Sequence, residues 1–237
     1  MPASTRTTLL KEIDSFAKSI ENVSSWKGSK KPFGHIVKTT KENYVYEFWC
    51  YLKILCEINN VPNQKVHLRG SRKFPAAPSS KKKNWAYYEI TDNKGKPLYL
   101  VCAGTGIKRK DAPDTIHHPD ISFQKPSAPK NDDPAGDDVV LLLDAKYVYP
   151  KRKNGKPKEP GKISVSQINE FSHIVEVLLR ARKSQNVKLN FGSFKDLNAN
   201  ALLSNASVLD KHKDACKVDC IKQVGEFIVG KTFNVIP

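Results

Sequence analysis

One apolar segment constrains the fold of this 237-residue chain more than any other feature. The segment VVLLLDAKYVY, residues 139–149, begins with five consecutive aliphatic side chains. A strand whose side chains are apolar on both faces is typical of the centre of a sheet that is covered on both sides. We therefore predict an α/β fold in which helices flank a sheet built around this strand.

The segments around this strand predict the remaining elements. The first helix begins near Thr8 and ends before Ser24, and a stronger helix covers residues 42–58. Two strands (85–91 and 97–104) joined by the turn 92–95, and a third strand at 119–123, complete the part of the chain before the apolar strand. After it lie a helix over residues 163–181 opened by Ser164 or Ser166, a fifth strand at 187–193, and a last helix from Asp214 to Val229. We expect a helical extension, residues 1–41, followed by one domain, residues 42–237.

The charge balance of the chain restricts its partners. Forty Lys and Arg residues against 24 Asp and Glu residues give a net charge of +16, which suits a polyanion such as nucleic acid. No apolar stretch approaches the length of a membrane helix or of a secretory signal, so no membrane partner is expected. Five cysteines with irregular spacing indicate reduced thiols, which predicts a cytoplasmic protein.

Two carboxylates and a lysine form a candidate site for chemistry. Asp144 and Lys146 are two residues apart on the apolar strand, so their side chains face the same way while Ala145 faces the other. Asp120 is expected beside them, at the third strand. Carboxylate oxygens and the Ala145 backbone carbonyl suit Mg²⁺, which polarises a phosphate and activates water. Lys146 could then hold that water or stabilise the charge that develops on the phosphate, and it would need a lowered pKa to act as a base.

At these residues the sequence resembles the PD-(D/E)xK nuclease superfamily. The matching elements are Pro119-Asp120, Asp144-Ala145-Lys146, Glu47 on the preceding helix and Gln167 on the following one. The resemblance implies a restriction-endonuclease-like αβββαβ core, with a mixed central sheet flanked by helices. It also implies cleavage of DNA with Mg²⁺, or Mn²⁺ as a substitute, in restriction or anti-phage defence. Asp120, Asp144 and the Ala145 carbonyl would bind the metal, and Glu47 would reach it through water.

A basic loop directly follows the proposed catalytic strand. Its cationic side chains are Lys151, Arg152, Lys153, Lys156 and Lys158. Glu159 is the one acidic residue in the loop sequence that opposes them. Because the loop leaves the strand that carries Asp144 and Lys146, we expect these residues to contact phosphates of the nucleic acid. Such contacts determine affinity and register but do not read the sequence.

Several alternatives remain open at this point. The chain could be a catalytically idle nucleic-acid-binding module of the same fold, or a nuclease directed at RNA. Glu42 and Glu57 compete with Glu47 for the helix position, Gln167 could be an ordinary first-turn residue, and Lys146 could be a simple ion-pair partner. In a homodimer, each of the two active sites could cut one strand of a duplex. Because the chain carries no ATP-binding motif, any ATPase activity would come from another subunit.

Overall fold

The fold is known from a computed structural model, which describes residues 7–13, 15, 42–70, 85–149, 152–153, 156–157, 161–179, 200–209, 216, 221–228 and 234–236. The described helices are α1 (Glu42–Asn59) and α2 (Val165–Leu179), with a 3₁₀ turn at Gly136–Asp138. The strands are β1 (Gln64–Gly70), β2 (Ala86–Asp92), β3 (Pro97–Ala103), β4 (Ile107–Lys108), β5 (Ile116–His117), β6 (Ile121–Gln124), β7 (Val139–Lys146), β8 (Arg152–Lys153), β9 (Lys156–Pro157), β10 (Asn200–Ser204), β11 (Ile221–Gly225) and β12 (Asn234–Ile236).

Eight of the strands form one mixed sheet. Its order is β1-β2-β3-β6-β7-β10-β11-β12. The strands from β1 to β7 pair antiparallel, whereas β10 pairs parallel with both β7 and β11. A parallel pair needs a long crossover, and α2 lies in the connection from β7 to β10. The predicted mixed α/β class and the central position of β7 are therefore confirmed.

Helices cover both faces of the sheet. The α1 side chains pack in one apolar cluster with Leu141, Leu143 and Ala145 of β7. Val139 and Leu142 point to the opposite face and pack with α2. The continuous apolar run of β7 thus supplies two cores, as its sequence predicts.

Helix α1 is buried on almost all sides because aromatic residues surround its aliphatic stripe. Ten of its side chains are buried, from Val45 to Ile58. The described N-terminal helical residues add to this cluster: Leu9 and Ile13 are fully buried in it, and Trp49 donates a hydrogen bond to Glu12 at 2.8 Å. The proposed boundary between residues 1–41 and 42–237 stays a prediction.

Some predicted elements differ from the structure. Strand β1 is not predicted, and β11 replaces part of the helix expected from Asp214 to Val229. At both places the sheet provides backbone partners that local periodicity cannot indicate. The predicted strand at 187–193 lies outside the described residues, and so does most of the first helix beyond residue 15.

The described helices and cysteines can be compared with the expectations of no membrane helix and of reduced thiols. No helix among them is both long enough and apolar enough to cross a membrane. The described cysteines Cys50, Cys56, Cys102 and Cys216 are free thiols.

The 3₁₀ turn before β7 depends on a close approach to α2. A Cβ atom at Gly136 would lie 1.8 Å from the Leu178 carbonyl oxygen, and backbone cannot move aside easily. We expect Gly136→Ala to destabilise the protein by about 2–3 kcal/mol, the upper range for overpacking. The melting temperature would fall by roughly 4–12 °C. Gly95→Ala is the control, because it strains a turn (φ +78°) with no atom nearby. Equal melting temperatures for Gly136→Ala and wild type would contradict the described packing.

Candidate active site

Asp120 is fixed between two strands by its backbone and its side chain. It directly precedes β6, whose first residue, Ile121, pairs with Leu143 of β7. The Asp120 carboxylate accepts a hydrogen bond from the Ala145 amide at 2.7 Å, and its carbonyl accepts one from Gly104 at 2.8 Å. The N–H and C=O of a strand residue point to the same side, so the Ala145 carbonyl is expected to face Asp120 as well.

Asp144 and Lys146 form an ion pair at the end of β7. Lys146 Nζ lies 2.8 Å from Asp144 Oδ2, and the two side chains are 25% and 6% exposed. The predicted common face of these two residues is confirmed. Asp144 Oδ2 is buried, and the ammonium group of Lys146 lies beside it. A carboxylate oxygen has more than one lone-pair site, so this atom retains capacity for a further ligand.

Glu47 is the helix carboxylate that interacts with this cluster. Burial and then the charge of Asp144 raise the pKa of Glu47 to about 8, while Lys146 opposes the shift. Its two competitors are elsewhere: Glu57 pairs with Lys53 at 2.7 Å, and Glu42 interacts with Tyr147. The structure therefore brings Glu47, rather than Glu42 or Glu57, together with Asp144 and Lys146.

Repulsion between the carboxylates shapes the site. Burial, then Asp144 and then Glu47, raise the pKa of Asp120 well above its ordinary value. Burial would lower the pKa of Lys146, but Asp144 and Asp120 outweigh this effect and raise it. Three carboxyl groups thus share one ammonium group in a poorly solvated space. Such a cluster favours the uptake of an additional positive charge.

The end of β7 is held by polar residues that the sequence analysis did not single out. Ser204 donates a hydrogen bond to the Lys146 carbonyl at 3.0 Å. Asn205 accepts one from the Val148 amide at 2.7 Å and donates one to the Val148 carbonyl at 3.0 Å. Their signal was available, since Ser204-Asn205 follow the apolar residues of β10 just as Asp144 follows those of β7.

Helix α2 contributes a carboxylate and a helix cap. Glu170, which the sequence analysis also missed, interacts electrostatically with Lys146. Gln167 lies one turn earlier, and its side-chain Oε1 accepts a hydrogen bond from the Ser164 backbone amide at 2.9 Å. The backbone amide of Gln167 in turn donates a hydrogen bond to Ser164 Oγ at 3.2 Å. This reciprocal pair is a capping box that begins α2 at Ser164. The described contacts of Gln167 are structural and do not join it to the acidic cluster.

The basic regions are only partly described. Lys151 and Lys158 lie outside the described residues, and of Arg152, Lys153 and Lys156 only the backbone is described, as the ribbon β8–β9. Their phosphate contacts stay a prediction. A second basic cluster, residues 108–110, is balanced by three aspartates. The pairs are Lys108–Asp132, Arg109–Asp111 and Lys110–Asp137, at 2.8, 3.0 and 2.7 Å.

The chemistry of these side chains and carbonyls determines which cation they could hold. Among the described residues, no group of three His, Cys, Asp or Glu side chains is arranged to hold a metal ion. A closed zinc site is therefore not formed by these side chains. Mg²⁺ requires fewer protein ligands, because it keeps several waters and uses one or two carboxylates together with substrate phosphate. Asp120, Asp144 and the Ala145 carbonyl match this requirement.

Glu47 provides a test of how burial and repulsion act together in the metal-free protein. Because its pKa is raised from 4.5 to about 8, the folded state disfavours its ionised form. Glu47 therefore destabilises the fold increasingly as the pH rises from about 4.5 to about 8, by at most about 1.4 kcal/mol per pH unit. We expect Glu47→Gln to be more stable than wild type, with an advantage that grows over this range. Urea unfolding in chelator measures it, and an advantage independent of pH would contradict the described environment.

Comparisons with known proteins give no match: the chain matches no protein-family model, no curated protein and no solved structure. The fold and the site therefore define a class only. It is a mixed α/β protein whose central strand ends in a buried cluster of carboxylates around one lysine.

Proposed function

We propose that this protein is a Mg²⁺-dependent endonuclease that hydrolyses phosphodiester bonds in DNA, in restriction or anti-phage defence. One observation carries the proposal: neighbouring strands bring Asp120, Asp144 and Lys146 into a single cluster at the end of a central strand. The net charge of +16 is suited to a polyanionic substrate.

The order of elements supports the resemblance to the PD-(D/E)xK superfamily. Helix α1, the antiparallel strands β3, β6 and β7, helix α2 and the parallel strand β10 occur in this order along the chain, with further strands between them. This order is compatible with the αβββαβ core that the resemblance implies. Asp120 precedes β6, and the Asp144-Ala145-Lys146 motif ends β7.

The residues of the cluster have separate roles in this proposal. Asp120, Asp144 and the Ala145 carbonyl hold Mg²⁺, and Glu47 acts through a water molecule. When bound, the ion polarises the phosphate and lowers the pKa of a water molecule. Lys146 remains an ammonium because its pKa is raised, so it stabilises negative charge on the phosphate rather than acting as a base. The negative charge of Glu170 also contributes to the raised pKa of Lys146.

The alternative of an idle binding module is less well supported. A module without catalysis would not need three carboxyl groups in a poorly solvated space, where they destabilise the fold unless a cation binds. The choice between DNA and RNA rests on the family resemblance alone. A homodimer and a separate ATPase subunit remain predictions.

The proposal is tested by incubating the purified protein with supercoiled plasmid, linear duplex DNA and RNA, in Mg²⁺ or in EDTA. We expect DNA products in Mg²⁺ and none in EDTA. Nicked circles would indicate one site acting alone, whereas linear plasmid would indicate paired sites. Cleavage of RNA but not of DNA would show that the protein is a nuclease directed at RNA. Binding of DNA without cleavage in Mg²⁺ or Mn²⁺ would favour the idle binding module.

A further inference from the structure

A two-stranded ribbon begins and ends next to the acidic cluster. Its strands, β4 and β5, pair Ile107 with His117. At the base of the ribbon, the Gly104 amide donates a hydrogen bond to the Asp120 carbonyl at 2.8 Å. His117 precedes Asp120 by three residues, so their Cα atoms are no more than about 11 Å apart. Covalent geometry therefore keeps the end of β5 close to the proposed metal site.

The ribbon packs on the same side of the sheet as the acidic cluster. Ile107 is fully buried in the apolar cluster that Leu142 of β7 forms with α2. Leu142, Asp144 and Lys146 are two residues apart along β7, so their side chains project from one face of the sheet. Helix α2 lies over this face, and its Glu170 interacts with Lys146. The ribbon, α2 and the proposed catalytic residues therefore lie on one side of the sheet.

Three basic side chains interact where the ribbon faces α2. His117 of β5 interacts with His173 of α2 and with Arg109. The Arg109 amide donates a hydrogen bond to the Thr115 carbonyl at 3.0 Å, which continues the pairing of the ribbon. His173 is exposed and lies one helical turn after Glu170, the residue that interacts with Lys146. We call Arg109, His117 and His173 the arginine–histidine cluster.

The charges in the arginine–histidine cluster repel one another. Burial is the largest cause that lowers the pKa of His117. The charges of Arg109, His173 and His118 lower this pKa further. All three are positive, so an anion that binds among them would relieve the repulsion. A metal ion would increase the repulsion, and no group of three His, Cys, Asp or Glu residues among those described is arranged to hold one.

The side chains of the cluster retain capacity for a ligand. Asp111 forms a bidentate pair with Arg109, at 3.1 Å from Nε and 3.0 Å from Nη2. This pair orients the guanidinium group, whose remaining N–H donors can bind a second anion. The buried Nε2 atom of His117 has no hydrogen-bond partner among the described residues, so this atom does not commit the ring to a structural contact.

We propose that Arg109, His117 and His173 bind a backbone phosphate of the DNA, within about three nucleotides of the bond that is cleaved. This inference rests on the proposed nuclease function and adds a substrate contact to it. The limit of about 11 Å between His117 and Asp120 corresponds to about three nucleotides of one strand, at about 3.4 Å each. Guanidinium and imidazole N–H groups donate to phosphate oxygens, and such contacts fix the register of the substrate without reading its sequence.

The test measures DNA binding in EDTA, so that no cleavage occurs. Fluorescence anisotropy with a labelled DNA duplex, at several salt concentrations, compares wild type with Arg109→Gln/Asp111→Asn and with His173→Ala. The double substitution removes one positive and one negative charge, so the net charge of the protein is unchanged. The matched control is Arg69→Gln/Glu89→Gln, which neutralises a pair at 2.9 Å on β1 and β2, strands that β3 separates from β6.

The two site variants should weaken binding to different extents. Arg109→Gln/Asp111→Asn should bind the duplex about tenfold more weakly, the usual effect of losing a hydrogen bond to a charged group. The slope of log K against log salt should become smaller by about 0.9, which corresponds to one phosphate contact. His173→Ala should bind about threefold more weakly. The control should keep the affinity and the salt slope of wild type.

The outcomes separate this inference from the function on which it rests. Weaker binding by both site variants, with the control unchanged, supports the phosphate site. Unchanged binding by the site variants, or an equal loss in the control, overturns the phosphate site but leaves the nuclease proposal intact. Failure of the wild-type protein to bind DNA, or to cleave it in Mg²⁺, overturns the proposed function, and the phosphate site with it. Melting curves check that the variants are folded.

Discussion

Asp144→Asn should abolish DNA cleavage while leaving DNA binding intact or stronger. The substitution keeps the size of the side chain but removes the buried negative charge that pairs with Lys146 at 2.8 Å. Metal coordination supplies several kcal/mol of transition-state stabilisation, so we expect the rate to fall at least about a thousandfold. Removing a negative charge that faces the phosphate should also favour DNA binding.

The measurement is a single-turnover cleavage rate in Mg²⁺, together with a DNA dissociation constant in EDTA. Asp137→Asn is the matched control, because that exposed aspartate pairs with Lys110 and precedes β7, whereas Asp144 lies near the other end of the strand. It should cleave like wild type. Wild-type activity of Asp144→Asn would show that the cluster is not the active site.

Lys146→Ala should separate metal binding from catalysis. In the structure Lys146 Nζ occupies a position 2.8 Å from Asp144 Oδ2, where it competes with a cation for that oxygen. Its removal should leave Mg²⁺ affinity unchanged or higher. Cleavage should fall by about 10²–10³, the usual effect of losing one group that stabilises developing charge.

Titration calorimetry with Mg²⁺ measures the binding, and the cleavage assay measures the rate. Lys53→Ala is the control, since it removes an ion pair with Glu57 on the same helix that carries Glu47. Loss of Mg²⁺ binding in Lys146→Ala would mean that the lysine organises the carboxylates. Its role would then be structural.

Segments with strong local patterns could be predicted from the sequence. The aromatic helix α1, the hairpin of β2 and β3, and the double-faced strand β7 lie where their periodicity places them. In the hairpin turn, Gly95 has a positive φ and its amide binds the Asp92 carbonyl, as the turn sequence indicates. Helix α2 begins at Ser164 through a capping box that is visible in the sequence.

Segments whose structure depends on distant partners could not be predicted. Strand β1 carries charged side chains and is only partly buried, and among the described strands it lies at the edge of the sheet and pairs with β2. Strand β11 is short, and parallel pairing with β10 stabilises it against the local helical pattern. The aspartates that balance residues 108–110 include two from a loop more than twenty residues away.

The candidate site also combines a feature that local sequence predicts with features that depend on distant partners. The common face of Asp144 and Lys146 follows from the period of a strand. The hydrogen bond between Asp120 and Ala145 depends on the register of β6 against β7, and the choice of Glu47 over Glu42 and Glu57 depends on how α1 lies on the sheet. Neither is encoded in local sequence.

The two hydrogen-bonding residues at the end of β10 have a consequence for the order in which the molecule assembles. Ser204 and Asn205 hold Lys146 and Val148 across 58 and 57 residues of chain. Contacts that close so long a loop form slowly, and a chain leaves the ribosome with its N-terminal segments first. While the ribosome is still synthesising the segment before residue 200, Asp120, Asp144 and Lys146 are all present, but the strand that fixes the end of β7 is not. A nascent chain therefore carries Asp120, Asp144 and Lys146 well before it can align them.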